Sequence, residues 1–551
     1  MRRELAFLLD WPWGLLDPDA RTPVEPGGKL TLAPERAPLL ALSEEEDVPH
    51  WRVVRGRALL QPETPVFRLG TRRWRLHALP LPRIEAERTI RLSQGRETTF
   101  AIAFERPKST SGRSEEDPED FDPRRSRAVE RMLGLLGGLR NDRQEDPLLL
   151  SWQEVAERWL AGHEPFDPRL FAVVRHARTL RRLLVDLAER PRRVLRREHR
   201  MLPLHQAQEW DRRALLWCAR RPGRTLAEKA GSDQSVLALA RIEDHDTLEN
   251  RVLRAHLELS AKAARAWCEA HPRLAESQRF VEVDHYGRLT KRLGRSLADL
   301  GVRLPGPSPQ PNYSLLFDAR YRQLWNAYRE LLRERWRRDE LRRWAHRLFH
   351  DLVRILVHAT LVVPSVPGAK QLEPVGALPL VLRGEQERGR FTLPVASLLF
   401  LAAVDDSYAL QTFEPGFATG AEETAVSELA MWWRINPVLA LRFERPGTNR
   451  RGWIGVFAVW ENNWERARRD GLASLNRALR RLEEGVDLEH GSHVPLGAIA
   501  LVRAEPGADV DFAIDERSRV MIVRLPVDDA PFPEGVYVLR SFLDEFAARW
   551  L

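Results

Sequence analysis

Arginine carries most of the visible chemistry of this sequence. The stretch "RHARTLRRLLVDLAERPRRVLRREHR" (175–200) holds ten arginines against three acids, and "RYRQLWNAYRELLRERWRRDELRRWAHR" (320–347) holds ten against four. A guanidinium is a planar, permanently charged fork that meets phosphate oxygens two at a time. Such clusters suit a polyanion, and the candidate phosphate contacts are Arg181, Arg182, Arg192, Arg193, Arg196, Arg197, Arg333, Arg337, Arg338 and Arg342. A solvated face neutralised by internal ion pairs, or a protein-docking face, produces the same pattern, so three readings stand. Codon bias in a GC-rich genome favours arginine over lysine throughout a chain, but it does not explain local clustering.

Other chemistries find little support. "PGGKLT" lacks the spacing and the hydroxyl of a phosphate-binding P-loop, and no G-x-S-x-G nucleophile elbow occurs. The histidine pairs in "HGSH" (490–493) and "HRMLPLH" (199–205) lack the company of a metal site and read as loop or surface residues. Two cysteines, Cys218 and Cys268, exclude a disulfide framework and a cysteine-rich zinc site. No apolar run approaches the roughly 20 residues of a spanning helix. Asp10 and Trp11-Pro12 interrupt the apolar run near the start, and no small-residue cleavage site follows, which argues against a signal peptide. A cytoplasmic protein without membrane contact is expected.

The elements that must position these residues form an α+β multidomain chain. Residues 1–107 read as short strands broken by turns, and 108–126 as an acidic, proline-punctuated linker. The pattern from 127 to 360 is helical, so both arginine stretches are expected on helices. In the second, Leu324, Tyr328 and Leu331 share a face, which leaves the arginines mainly on the others. Asp246 is the expected N-cap of a helix whose capping box Glu249 completes, with Leu248, Val252, Ala255, Leu259 and Ala263 as its buried stripe. From 361 to 551, strand runs alternate with helical segments at 421–433, 463–484 and 540–551, an α/β pattern. "ATLVV" (359–363) reads as the first of those strands.

Within that last region, "RINPVLALRFERPGTNRRGWIGVFAVW" (434–460) is two apolar runs joined by a basic, glycine-containing turn. The serial order matters as much as any motif: "ERPRRVLRREHRMLPLHQAQEWDRRALLWCARRPGR", then "DTLENRVLRAHLE", then "YRQLWNAYRELL", then an α/β end. This order resembles the McrC-related, restriction-endonuclease-like proteins, in which domain-of-unknown-function family 2357 precedes a PD-(D/E)XK core. The resemblance covers roughly residues 170–485. Glu249-Asn250-Arg251 matches an "ENR" triplet that opens a helix in that family, although a capping box explains Glu249 equally well.

The resemblance implies Pro-Asp on one strand and Asp-x-Lys on the next, followed by a helix. Two carboxylates would hold a divalent metal that activates water, and the lysine would orient the nucleophile. Here Pro437-Val438 stands for Pro-Asp and Phe457-Ala458-Val459 for Asp-x-Lys, so Val438, Phe457 and Val459 occupy all three polar positions. After Lys291 the sole lysine is Lys370, outside the strand pair. What the resemblance then implies is a degenerate nuclease fold with no catalytic residue, metal or cofactor. It would serve as a nucleic-acid-binding or scaffold subunit of a bacterial restriction or antiphage complex. DNA is the expected ligand, and an AAA+ or helicase-type motor or other defence subunits are the implied protein partners. Three alternatives stay open: an Mg²⁺-dependent endonuclease with displaced ligands among Glu444, Glu461 and Asp470, an RNA binder, and a docking adaptor.

Overall fold

The computed structural model describes residues 6–9, 29–32, 39–43, 51–53, 61–62, 66–69, 72–78, 89–94, 97–104, 128–129, 132, 148–160, 172–270, 274–306, 309–363, 372–375, 380–382, 397–402, 408–414, 432–448, 450–461, 463–490, 494–504, 510–515, 519–526 and 532–550. The side chains of 337–340 and 485–490 lie outside that set, as do the expected linker 108–126 and the expected helical segment 421–431. Two compact units result: Pro168–Trp336, and Met1–Asp167 together with Arg337–Leu551. Those boundaries differ from the expected division at 127 and 360.

In the unit Pro168–Trp336, the elements run α1 (Ala172–Thr179), α2 (Arg181–Glu189), β1 (Val194–Pro203), α3 (Arg212–Ala219), α4 (Leu226–Ala230), β2 (Ser235–Asp244), α5 (Leu248–Ala270), α6 (Gln278–Asp299), α7 (Tyr313–Phe317) and α8 (Ala319–Arg343), the last crossing the boundary. Residues 194–200 are therefore strand, where helix was expected. Pro191 cannot continue α2, and its predecessor is pushed out of helical backbone. Beyond it the chain pairs antiparallel with β2 from Val194↔Asp244 to Pro203↔Ser235. Val236 and Ala238 alternate as buried positions on β2, and that period of two was the signal for a ribbon.

Helix α5 starts one residue later than expected. The Thr247 hydroxyl accepts the Asn250 N–H (3.4 Å), which makes Thr247 the cap, while Asp246 turns to Arg251. The buried stripe rotates with it, to Val252, Leu253, His256, Leu257, Ser260, Ala264 and Trp267. Only Val252 of the expected stripe is fully buried; Leu248, Ala255, Leu259 and Ala263 are half-buried at the edges of a face centred on Leu253, Leu257, Ser260 and Ala264. Two histidines go inside: His176 on α1 and His256 lie 5.7 Å apart between ring centroids. Burial, reinforced by His176, pushes the His256 pKa down to about 3.

In the other unit, α9 (Ala345–Leu361) precedes β3 (Leu372–Val375), β4 (Ser397–Ala402), β5 (Ala409–Phe413), β6 (Leu439–Glu444), β7 (Arg451–Val459), α10 (Trp464–His490), β8 (Leu496–Ala504), β9 (Asp511–Ile514), β10 (Val520–Pro526) and α11 (Phe532–Trp550). "ATLVV", expected as strand, instead closes α9, whose apolar residues are buried nearly all round. Among the described residues, eight strands form one mixed sheet in the order β3-β4-β5-β6-β7-β8-β10-β9. The first five pair antiparallel, and β7, β8 and β10 run parallel. Helix α10 makes the crossover that two parallel strands require. Parallel strands covered on both faces read as unbroken apolar runs, which is what "WIGVFAV", "GAIALV" and "VMIV" are.

One face of this sheet carries Ile454, Val456 and Ala458 against α9 and α11; the other carries Trp453, Phe457 and Val459 against α10, Trp432 and the strands Leu39–Ser43 and Arg72–Ala78. The β6–β7 turn closes at Gly447, whose φ of +74° suits glycine. Gly455 has a different reason: a Cβ there would overlap the Trp432 indole, which packs against the strand. A buried ionic group ties α9 to β5. Arg354 pairs with Asp351 (2.7 Å) and with Glu414, and His358 shares a 2.9 Å hydrogen bond with Thr412.

Candidate nucleic-acid interface

The ten candidate arginines separate into distinct environments. On the β1–β2 ribbon and the turn before it, four are already matched to carboxylates: Arg192 to Glu249, Arg193 to Glu243 (2.9 Å), Arg196 to Asp244 (2.5 Å) and Arg197 to Glu209 (3.6 Å). Arg241 across the ribbon also holds Glu209. These pairs are solvent-exposed on the arginine side, so each adds little stability, but together they offset most of the ribbon's positive charge. Arg181 and Arg182 begin α2, exposed and without an ion pair among the described residues. Arg342 is half-buried, and the side chains of Arg337 and Arg338 lie outside the described residues.

Glu249, Asn250 and Arg251 form a structural joint. Glu249 is buried and accepts from Arg192 and from Asn312 (2.9 Å). Burial works to raise its pKa, but hydrogen bonds, including those from Asn312 and Ser314, together with the nearby Arg192 charge, bring it below the ordinary glutamate value. Asn250 is fully buried and bonds to the backbone of Arg192 and His245. Arg251 makes a two-pronged contact with Asp246 (2.7 and 2.6 Å), which Arg303 joins at 2.6 Å. The Arg251 hydrogen bond is the largest influence holding the Asp246 carboxyl well below the usual aspartate range. All three side chains are spent inside the unit, fixing the entrance of the ribbon to the start of α5.

Helix α8 is arranged otherwise. Residues 322, 326, 329, 333 and 336 fall within one narrow stripe at 3.6 residues per turn. The structure exposes all five: Arg322, Asn326, Arg329, Arg333 and Trp336. Glu330 and Glu334 face elsewhere. Glu330 binds Arg175 and His176 (2.9 Å) on α1, and Glu334 accepts the Ala172 N–H at 2.9 Å. Burial tends to raise the Glu330 pKa; the hydrogen bonds from His176 and Arg175 outweigh it and leave the group ionised. Leu324, Tyr328 and Leu331 are buried on the inner face, as expected. The result is a ridge of three guanidinia with no carboxylate among them and no ion pair among the described residues. From Arg322 to Arg333 it spans about 16 Å at the helical rise. Sequence reading singled out Arg333 and missed Arg322, Asn326, Arg329 and Trp336, although their i, i+4, i+7, i+11, i+14 spacing was available.

The strand pair tells a separate story. Phe457 is 0 % exposed and Val459 is buried beside it in the Trp432–Trp453 face. Val438, half-buried, packs against the opposite cluster, its N–H bonded to the Val456 carbonyl at 2.7 Å. The three positions thus do not converge on one point, and apolar side chains do not fit a divalent cation, which takes oxygen ligands. Glu444 pairs with Arg442 (2.8 Å), Asp470 with Arg469 (3.1 Å), and Glu461 accepts the Asn463 N–H (3.2 Å). Among the described residues, no three His, Cys, Asp or Glu side chains group in a way that could hold a metal ion. None of the described helices is long and apolar enough to cross a membrane. Set against family models and against curated proteins, the sequence matches none of either.

Proposed function

We propose that this protein is a nucleic-acid-binding subunit that contacts phosphate through the outer stripe of α8, and that the β6–β7 pair is scaffold. The observation that carries the reading is the sorting of charge on α8: Glu330 and Glu334 are engaged by α1, and Arg322, Arg329 and Arg333 are left outward without an ion pair among the described residues. Exposed guanidinium without a carboxylate partner is what phosphate neutralisation requires. The buried Phe457 and Val459 support the non-catalytic half of the reading. Two adjacent strands followed by a helix also agree with the resemblance to a PD-(D/E)XK core. That resemblance, in turn, suggests a place in a bacterial restriction or antiphage complex, with DNA as ligand and a motor protein as neighbour.

The test is a binding titration of the full chain on duplex DNA across a range of salt. Changing Arg322, Arg329 and Arg333 to glutamate should weaken binding and lower the slope of log affinity against log salt by about 2.7, near 0.9 per lost phosphate contact. A slope that stays put in a folded variant removes α8 from the interface. A plasmid-cleavage assay with Mg²⁺ or Mn²⁺ completes the test, since metal-dependent cutting that tracks the purified chain would overturn the scaffold role of β6–β7.

A further inference from the structure

Trp336 is the one ridge residue whose side chain is mainly apolar, with a single indole N–H as its polar group. It is 53 % exposed, whereas Trp74, Trp267, Trp344, Trp432 and Trp453 are fully buried. Tryptophan is the largest apolar side chain, and leaving it in water forfeits more burial than for any other residue. Among the described residues its indole has no hydrogen bond, ring or cation contact, unlike Trp460 under Arg503 or Trp464 under Arg524. It stands three residues beyond Arg333 and seven beyond Arg329, on the same stripe, so a ligand following the guanidinia meets the indole at one end. Asn326 adds an amide, uncommitted among the described residues, in the middle of the row.

We infer that the α8 ridge takes unpaired nucleic acid, with Trp336 as the residue on which a base stacks. The inference rests on the nucleic-acid reading above and names its ligand. In a duplex each base face is covered by its neighbours, and only base edges and backbone are presented. An indole has nothing to stack on there. A single strand exposes its base faces as well as its phosphates, and binding surfaces for it combine a basic track with aromatic rings. Arg322, Arg329 and Arg333 supply the track and Trp336 the ring. The favoured occupant follows from charge: three cations without an acid among them attract a polyanion, whereas an apolar protein surface would have to strip their water without compensation.

The experiment uses the full chain and two probes, an unstructured oligothymidylate and a blunt DNA duplex, with binding followed by anisotropy and by tryptophan quenching. Tighter binding of the single strand is expected. Trp336→Ala should weaken it by about fivefold to 150-fold, the range of one base stacked on an aromatic ring, and should leave duplex binding nearly unchanged. Trp336→Phe should recover most of the loss, which separates stacking from a folding defect. The Tyr313–Phe317 pair, also exposed but on α7, serves as the comparison, and Tyr313→Ala with Phe317→Ala should not change binding. If the glutamate triple abolishes binding while Trp336→Ala does nothing, or affects both probes equally, stacking is refuted and the phosphate ridge stands. If neither matters and binding persists, both readings fall. If neither probe binds at all, the surface belongs to a protein partner.

Discussion

The side chain of Asn250 bonds both backbone groups of Arg192, donating to its carbonyl at 2.7 Å and accepting its N–H at 3.2 Å. It treats Arg192 as a neighbouring strand would, and the same amide also donates to the His245 carbonyl at 2.8 Å. Asn250→Ala should therefore cost about 1–3 kcal/mol, since buried backbone groups lose their partners. Asn250→Asp should cost more, because it turns a carboxylate toward two carbonyl oxygens. Urea denaturation reads both, and a variant as stable as the parent would show the joint to be dispensable. The salt dependence of nucleic-acid binding should not move, as the joint is remote in role from the α8 stripe.

Phe457 fills the face between Trp453 and Trp432. Truncating it to alanine should lower stability by about 3–5 kcal/mol, visible as a large drop in Tm. Phe457→Asp should be worse, since it buries an unpaired charge. Installing Val438→Asp, Phe457→Asp and Val459→Lys together should not yield metal-dependent cleavage, because position 438 packs against the other side of the sheet. Recovered cleavage would mean that the strands part more easily than their packing implies.

His256 makes stability depend on acid. Its pKa is about 3 in the fold against 6.5 ordinarily, so the unfolded chain binds the proton first as pH falls. Stability is complete above pH 6.5 and declines as pH drops from there toward 3, by about 1.4 kcal/mol per pH unit for each proton taken up. His256→Leu should remove one proton from that slope; His176, also depressed by burial, would retain its own contribution. Denaturation series at several pH values between 7 and 4 give the slopes. Identical slopes in parent and variant would refute the assignment.

Arg354 holds Asp351 and Glu414 together in a buried group. Burial alone would lower its pKa, and the two carboxylates outweigh that and raise it. Arg354→Met should cost about 3–5 kcal/mol by taking a buried cation away from two buried acids. Thermal unfolding of the variant checks this, and restoration of Tm on acidification would identify the stranded carboxylates as the cause.

The C-terminal sheet was the most legible part of the chain. Runs such as "WIGVFAV" and "GAIALV" cannot be surface, and the helix between them, expected from 463, starts at Trp464. The period of two by itself puts Phe457 and Val459 on the face opposite Val456 and Ala458, which is how the structure arranges them. Less legible was the ribbon at 194–203, because arginine has good helix propensity and the partner strand lies more than thirty residues on. A strand's alternation is hard to see when its outward residues are Leu195 and Met201 as well as arginines. The site failed to show for a related reason. Counting arginines does not reveal which of them carboxylates have claimed, and the claims of Glu209, Glu243, Asp244 and Glu249 are made across the fold rather than along the chain.

The close contact of Trp432 on Gly455 bears on heredity as well as packing. A side chain at 455 requires the indole to leave, and removing the indole opens a void against Phe457 and Trp453. An acid introduced at 457 before either change is stranded in hydrocarbon. Each single step back toward a wet cleft thus lowers stability before any chemistry can reward it. Under the proposed reading, the silent strand pair is locked by its own packing: a return to a wet cleft needs several changes made together.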